Sequence, residues 1–336
     1  MGMAKRKYSS KSKIEPAVQT IVLSTPTVAA GGTGNFTVDL SQVASLVNRR
    51  FYRQGINWAV AGIKILTQTN GYVTVSKLPN TWVMSNAWEK GMRTWTKMNR
   101  EALAETESVR PKFLDFKIYA DDIHHNAGYG ANLLPFSTLG VATPGEWESS
   151  KVVVPLTDGS DNAFSREMIA VGASYPGNGA SGLDALSLIE GYAASRGLPD
   201  VLSPNAPDDA ASVNGGAPQN WMAAIFNEGT DQDDLVLEDM ITENNIAPYP
   251  FENDGVHIDT MYPGGANQLS GLQFHDQSAI TPSTIGGHTF LKGGNFPCGL
   301  MRFTWNPADA TANLGIQIDL VPGNHRGYLC EPMTEM

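Results

Sequence analysis

Residues 56–76 read INWAVAGIKILTQTNGYVTVS, two runs rich in Ile, Val, Trp and Tyr that flank Thr69-Asn70-Gly71. β-branched and aromatic side chains suit a pleated, half-buried backbone, and Asn-Gly between two such runs is a strong hairpin signal. The spacing predicts an antiparallel hairpin of strands 56–66 and 71–76. On either side of it, shorter β-prone runs recur at 17–23, 34–40, 113–119, 147–154, 166–172, 298–305 and 314–321. In the last, Leu314, Ile316, Ile318 and Leu320 point one way while Gln317 and Asp319 point the other, the period-two pattern of a strand with one buried face. Eight or nine short strands spread along the chain predict an all-β sandwich or barrel.

Two helices interrupt that series. Residues 86–104 place Trp88, Met92, Trp95 and Ala102 on one face and Lys90, Arg93, Lys97 and Arg100 on the other. Residues 183–195 read as a second helix ending near Gly197 and Pro199. From about 173 to 290 the chain turns rich in Pro, Gly, Asn and Asp, too long for a structureless loop. It is read as a large late insertion in one sandwich.

The 336 residues are 41% hydrophobic, enough for a substantial core. No apolar run approaches the roughly 18 residues of a membrane-spanning helix. Cys298 and Cys330 give neither a disulfide framework nor a metal-binding set. There is no G-x-S-x-G nucleophile elbow and no phosphate-cradling G-x-x-x-x-G-K-[ST], so no enzymatic activity, cofactor or metal is expected. His257 and Asp259, with His275, His288 and His325 downstream, could supply two histidines and a carboxylate to a non-haem iron oxygenase, the alternative from another class. Asp121, Asp122, His124 and His125 read as a polar loop. Asp231, Asp233, Asp234, Glu238 and Asp239 lack the register of a Ca²⁺ loop and read as a solvated acidic face. Asn35-Phe36-Thr37 is a permissible glycosylation sequon, which keeps a secreted lectin-like sandwich as a third alternative.

Charge is strongly segregated. Residues 1–117 hold 17 of the 23 basic residues and 7 acids, whereas residues 118–336 hold 6 basic and 27 acidic residues. Between Arg196 and Lys292 there are fourteen acids and no cation. The first residues, with Lys5, Arg6, Lys7, Lys11 and Lys13, have too little apolar surface to offset their ordering entropy, so 1–16 reads as a mobile basic arm ahead of a folded domain spanning 17–336. A leader peptide over 17–30 is disfavoured by Glu15, Pro16, Gln19 and Pro26. Together with Arg49, Arg50 and Arg53, the arm supplies cations that neutralise phosphates of any sequence, and Tyr8 and Tyr52 are placed to stack on unpaired bases. A shell protein needs this separation, with one surface against a polyanion and the other in solvent.

The start MAKRKYSSKSK, the strand series from 17 to 172, the insertion and the terminal LGIQIDLVP resemble the capsid proteins of the circular Rep-encoding single-stranded DNA (CRESS-DNA) viruses. That resemblance implies a single jelly roll of two four-stranded antiparallel sheets, with 173–290 as the long surface loop before the penultimate strand. It also implies self-assembly of about 60 copies into a small icosahedral virion around single-stranded DNA, no membrane insertion, an unknown host receptor and possible passage through the host nucleus. Arms of this family are often longer and Arg-rich. Five cations here give roughly 300 charges per shell against a few thousand phosphates, so Arg49, Arg50 and Arg53 with small cations must supply the remainder.

Overall fold

The computed structural model describes residues 16–105, 108, 115–137, 140–155, 163–196, 222, 271–281 and 287–335. Its centre is a sandwich of eight strands: β1 (Thr20–Ser24), β2 (Gly34–Asp39), β3 (Ile56–Leu66), β4 (Gly71–Lys77), β8 (Gln273–Ile280), β9 (His288–Phe296), β10 (Leu300–Pro307) and β11 (Gly315–Leu320). One sheet runs β1-β11-β3-β9 and the other β8-β4-β10-β2, every pair antiparallel. A short final strand, β12 (Cys330–Pro332), pairs with the start of β3. Counted along the chain, the eight strands fill the sheets in the orders 1-8-3-6 and 5-4-7-2, which is a jelly roll. The expected fold is therefore the observed one. The two inner faces meet in a core that includes Ile21, Leu23, Val38, Trp58, Ile63, Ile65, Val73, Val75, Phe296, Phe303, Trp305, Ile316 and Ile318.

The predicted hairpin is not formed. β3 pairs with β9 and β11 in one sheet, β4 with β8 and β10 in the other, so residues 67–70 carry the chain across the sandwich. The chain bends at Gln68 and Thr69, ahead of Asn70-Gly71, and both strands bury an apolar face; two such faces are satisfied by packing against each other rather than side by side. Within β3 the inward residues are Trp58 and Val60, then Ile63 and Ile65, a change of phase by one residue. The register slips there against β11, where Asp319 pairs with Gly62 but Leu320 with Val60, while the register with β9 runs through unshifted, Lys292 against Gly62 and Gly294 against Val60. A bulge at Ala61 thus returns the second half of the strand to the core face.

The long excursion from the sandwich lies between β4 and β8, the fourth and fifth sandwich strands, not late in the chain before the penultimate one. β8 and the start of β9 fall within the stretch expected to be insertion. Conversely, 147–154 and 166–172 contribute β5 (Val152–Pro155) and β6 (Ala163–Ile169), which form a small separate sheet with β7 (Ala185–Ser187). The stretch expected as strand 113–119 is described only from residue 115, and there it has one bridge, between Tyr119 and Ile169. α2 (Trp82–Glu105) and α4 (Leu188–Arg196), expected at 86–104 and 183–195, pack together over a second core containing Val83, Met84, Trp88, Phe116, Met168, Leu188, Ile189 and Tyr192. No described helix is long and apolar enough to cross a membrane.

A buried polar seam joins this excursion to the outer face of the second sheet. Asp121 caps α3 (Asp122–Ala127) by accepting from the His124 amide at 3.0 Å, and it takes a hydrogen bond from Arg302 on β10. Both side chains are almost wholly buried. The four residues read as a polar loop therefore begin a helix and face inward at His124 and His125. His124 Nδ1 accepts from the Ala120 amide at 3.0 Å, and His125 pairs with Glu167 at 2.9 Å.

Candidate nucleic-acid interface

The interface begins at the end of α1 (Leu40–Asn48). Asp39 caps its start, accepting from the amides of Ser41 and Gln42. At its end Arg49 takes up the left-handed conformation with φ 52°, turning the following loop back toward the sandwich. Tyr52 is thereby driven into the core, 0% exposed, against Trp58 and Tyr328 at centroid distances of 5.8 and 5.5 Å. Its expected role in stacking on bases is excluded by that burial. Its hydroxyl donates to the Arg326 carbonyl at 3.0 Å, and Arg326 Nη1 in turn donates to the Phe51 carbonyl at 2.5 Å. Two segments 275 residues apart in sequence are thus held together.

The root of the arm is fastened at the same place. Arg50 Nη1 donates to the Pro16 carbonyl at 3.0 Å, and the Val18 amide donates to Asn48 Oδ1 at 3.0 Å. The Tyr328 hydroxyl donates to the Val18 carbonyl at 2.6 Å while accepting from Asn48 Nδ2 at 2.7 Å. Chain entry, helix end and the turn carrying Arg326 therefore form one corner of the sandwich.

Of the residues read as nucleic-acid-binding, Arg49, Arg50 and Arg53 come together at this corner, with Arg49 and Arg53 exposed and Arg50 half-buried. Arg326, exposed and also in the left-handed region with φ 51°, joins them without having been expected. No local signal could have shown this, because the tertiary fold alone brings 326 to 51. Lys5, Arg6, Lys7, Lys11 and Lys13 lie outside the described residues, as does Tyr8. The basic stripe of α2 is not one continuous surface: Lys90 Nζ donates to Ser195 Oγ at 2.6 Å, and Arg93 pairs with Glu89.

The residues that carry the metal alternative lie mostly outside the described ones. His257, Asp259 and the acids from Asp231 to Asp239 lie outside the described residues, and the described residues contain no group of three potential metal ligands. His275 makes a 2.9 Å contact with the Lys292 carbonyl and packs on Phe296, while burial and then Arg326 push the His325 imidazole below its ordinary range. Comparisons with protein-family models, with curated proteins and with solved structures found no match.

Proposed function

We propose that this chain is a coat protein: copies of it assemble into a small icosahedral shell, like the capsid proteins of CRESS-DNA viruses that it resembles, and enclose single-stranded DNA through sequence-independent basic contacts. The single observation that carries the reading is the corner at which the arm begins. There the first described residues, where the basic arm meets the folded domain, are tied to the helix end that bears Arg49 and Arg50, with Arg53 and Arg326 alongside. Cations of the N-terminal arm and cations on a fixed surface then act on the same polyanion, and each phosphate they neutralise releases counterions. The jelly roll supplies a rigid block whose repeated contacts can close into a shell. On this reading the acidic stretch 197–291 faces solvent and the host, and the protein resides in the virion, with passage through the host nucleus during assembly.

Size-exclusion chromatography with simultaneous absorbance at 260 and 280 nm tests this. The expected result is a particle tens of times heavier than the 36.1 kDa chain that carries nucleic acid. A well-folded monomer across salt and pH would overturn it.

A further inference from the structure

Beside the basic corner, between the loop after α1 and the helix α2, lies a cavity of about 620 Å³. That volume is within the roughly 300–1,000 Å³ of sites that hold small organic ligands. Its walls include four aromatic rings, Phe51, Trp88, Trp95 and Phe116, and its rim includes Arg53 and Arg326. Phe116 stands between the two indoles, 5.9 Å from Trp88 and 5.6 Å from Trp95 by ring centroid. Trp88 and Phe116 are nearly buried and form the floor, whereas Phe51 and Trp95 are only half-buried and present ring surface to the opening.

We propose that this cavity takes one unpaired base of the enclosed strand, the base stacking on Trp95 and Phe51 while Arg53 and Arg326 meet the adjoining phosphates. Every base has a π-face, so stacking adds affinity without demanding a sequence, and a guanidinium serves both ring and phosphate. A seam left only by imperfect packing of α2 on the sandwich would be apolar throughout. Here two exposed cations stand at the mouth. Asp115 also lines the cavity, its side chain almost wholly buried and 3.6 Å from Lys117 Nζ, with Arg53 acting on it as a second positive neighbour. Burial raises its carboxyl above the ordinary range, and Lys117 and Arg53 oppose the charge it carries. The proposal rests on the coat-protein reading for the identity of the ligand, and it adds a base contact to what would otherwise be attraction to the backbone alone.

The test uses the full-length protein freed of nucleic acid and two probes of equal length and phosphate count: oligothymidylate and the same strand with abasic sugars. Oligothymidylate should bind about tenfold more tightly and quench tryptophan fluorescence, a difference the size of one base–aromatic stack. Trp95→Leu keeps an apolar side chain on α2 but removes the ring, so it should bring the thymidylate affinity down to the abasic level and leave the abasic affinity unchanged. Equal binding of both probes to the unaltered protein would overturn the base site while leaving the coat-protein reading intact, and that comparison needs no variant to fold. A preference for bases that survives Trp95→Leu would also overturn it, since the base contact would then lie elsewhere, such as at Tyr8. Failure of both probes to bind would overturn both readings.

Discussion

His124 and Asp39 are both fully buried and both held away from their ordinary ionisation, in ways that oppose one another. Burial, helped by Arg302 and His125, pushes His124 down to about 3 from its ordinary 6.5. The geometry agrees: Nδ1 accepts from the Ala120 amide and Nε2 meets Asn132 Oδ1 at 2.9 Å, an arrangement only the neutral ring satisfies. Burial likewise raises Asp39 to about 6 from 3.8, despite hydrogen bonds from Ser41, Gln42, Gln54 and Trp147. A depressed folded value means that the His124 contribution is full above pH 6.5 and is lost as pH falls toward 3. The raised value of Asp39 works the other way, costing most above pH 6 and least near 3.8, so the two slopes nearly cancel between them. Replacing His124 by Asn should expose this. The stability gap between wild type and His124→Asn is expected to narrow by about 1.4 kcal/mol per pH unit below 6.5, read by denaturant unfolding at each pH. Parallel pH profiles would show that His124 is not held neutral. None of this burial is visible in a string reading Asp121-Asp122-Ile123-His124-His125.

At the scale of elements, the alternation that is clear in the sequence belongs to strands with one strictly apolar face. β11 is the plainest, with Leu314, Ile316, Ile318 and Leu320 buried as the pattern requires. The edge strands β8 and β9 were not legible, because much of their surface is open: Phe274 and Phe290 are exposed, and Asp276, Lys292, Gly293, Gly294 and Asn295 interrupt any apolar alternation. The segment expected as a strand at 113–119 was apolar for another reason, since Phe116, Ile118 and Tyr119 are buried by the excursion without joining a sheet ladder beyond one bridge. Gly293 shows what an apparently loop-like residue contributes. A Cβ there would lie 2.3 Å from the Val60 carbonyl oxygen and 2.4 Å from that of Ala61, so the bulge in β3 closes only against a glycine. Gly293→Ala is expected to cost about 1–3 kcal/mol, as overpacking against an unyielding neighbour does, and to lower the denaturation midpoint accordingly. An unchanged midpoint would mean the two strands part at the bulge without penalty.

For the molecule as a whole, the question is which way the two charged portions face. Arg49, Arg50 and Arg53 were legible as a group because they are close in sequence, whereas Arg326 and the aromatic wall of the cavity depend on a jelly roll folding its distant ends onto one corner. The arm must leave from that corner, because Pro16 and Val18 are held there by Arg50 and Asn48. If the corner faces a packaged polyanion, the fourteen acids of 197–291 must not, since bringing them against phosphate would require a large uptake of cations. Two proteases with opposite charge preference read this directly. Trypsin cuts after Lys5, Arg6 and Lys7 but has no site between Arg196 and Lys292, whereas a glutamate-specific protease cuts after Glu228, Glu238, Glu243 and Glu252. In intact particles the glutamate sites are expected to be cleaved while the arm resists trypsin until the shell is taken apart. Early loss of the arm together with a resistant acidic stretch would place the cations outside and reverse the orientation. If chelation of divalent ions also dissolved the particles, the acids would instead belong to metal-bridged contacts between subunits, because a hard cation such as Ca²⁺ draws its ligands from carboxylate oxygens.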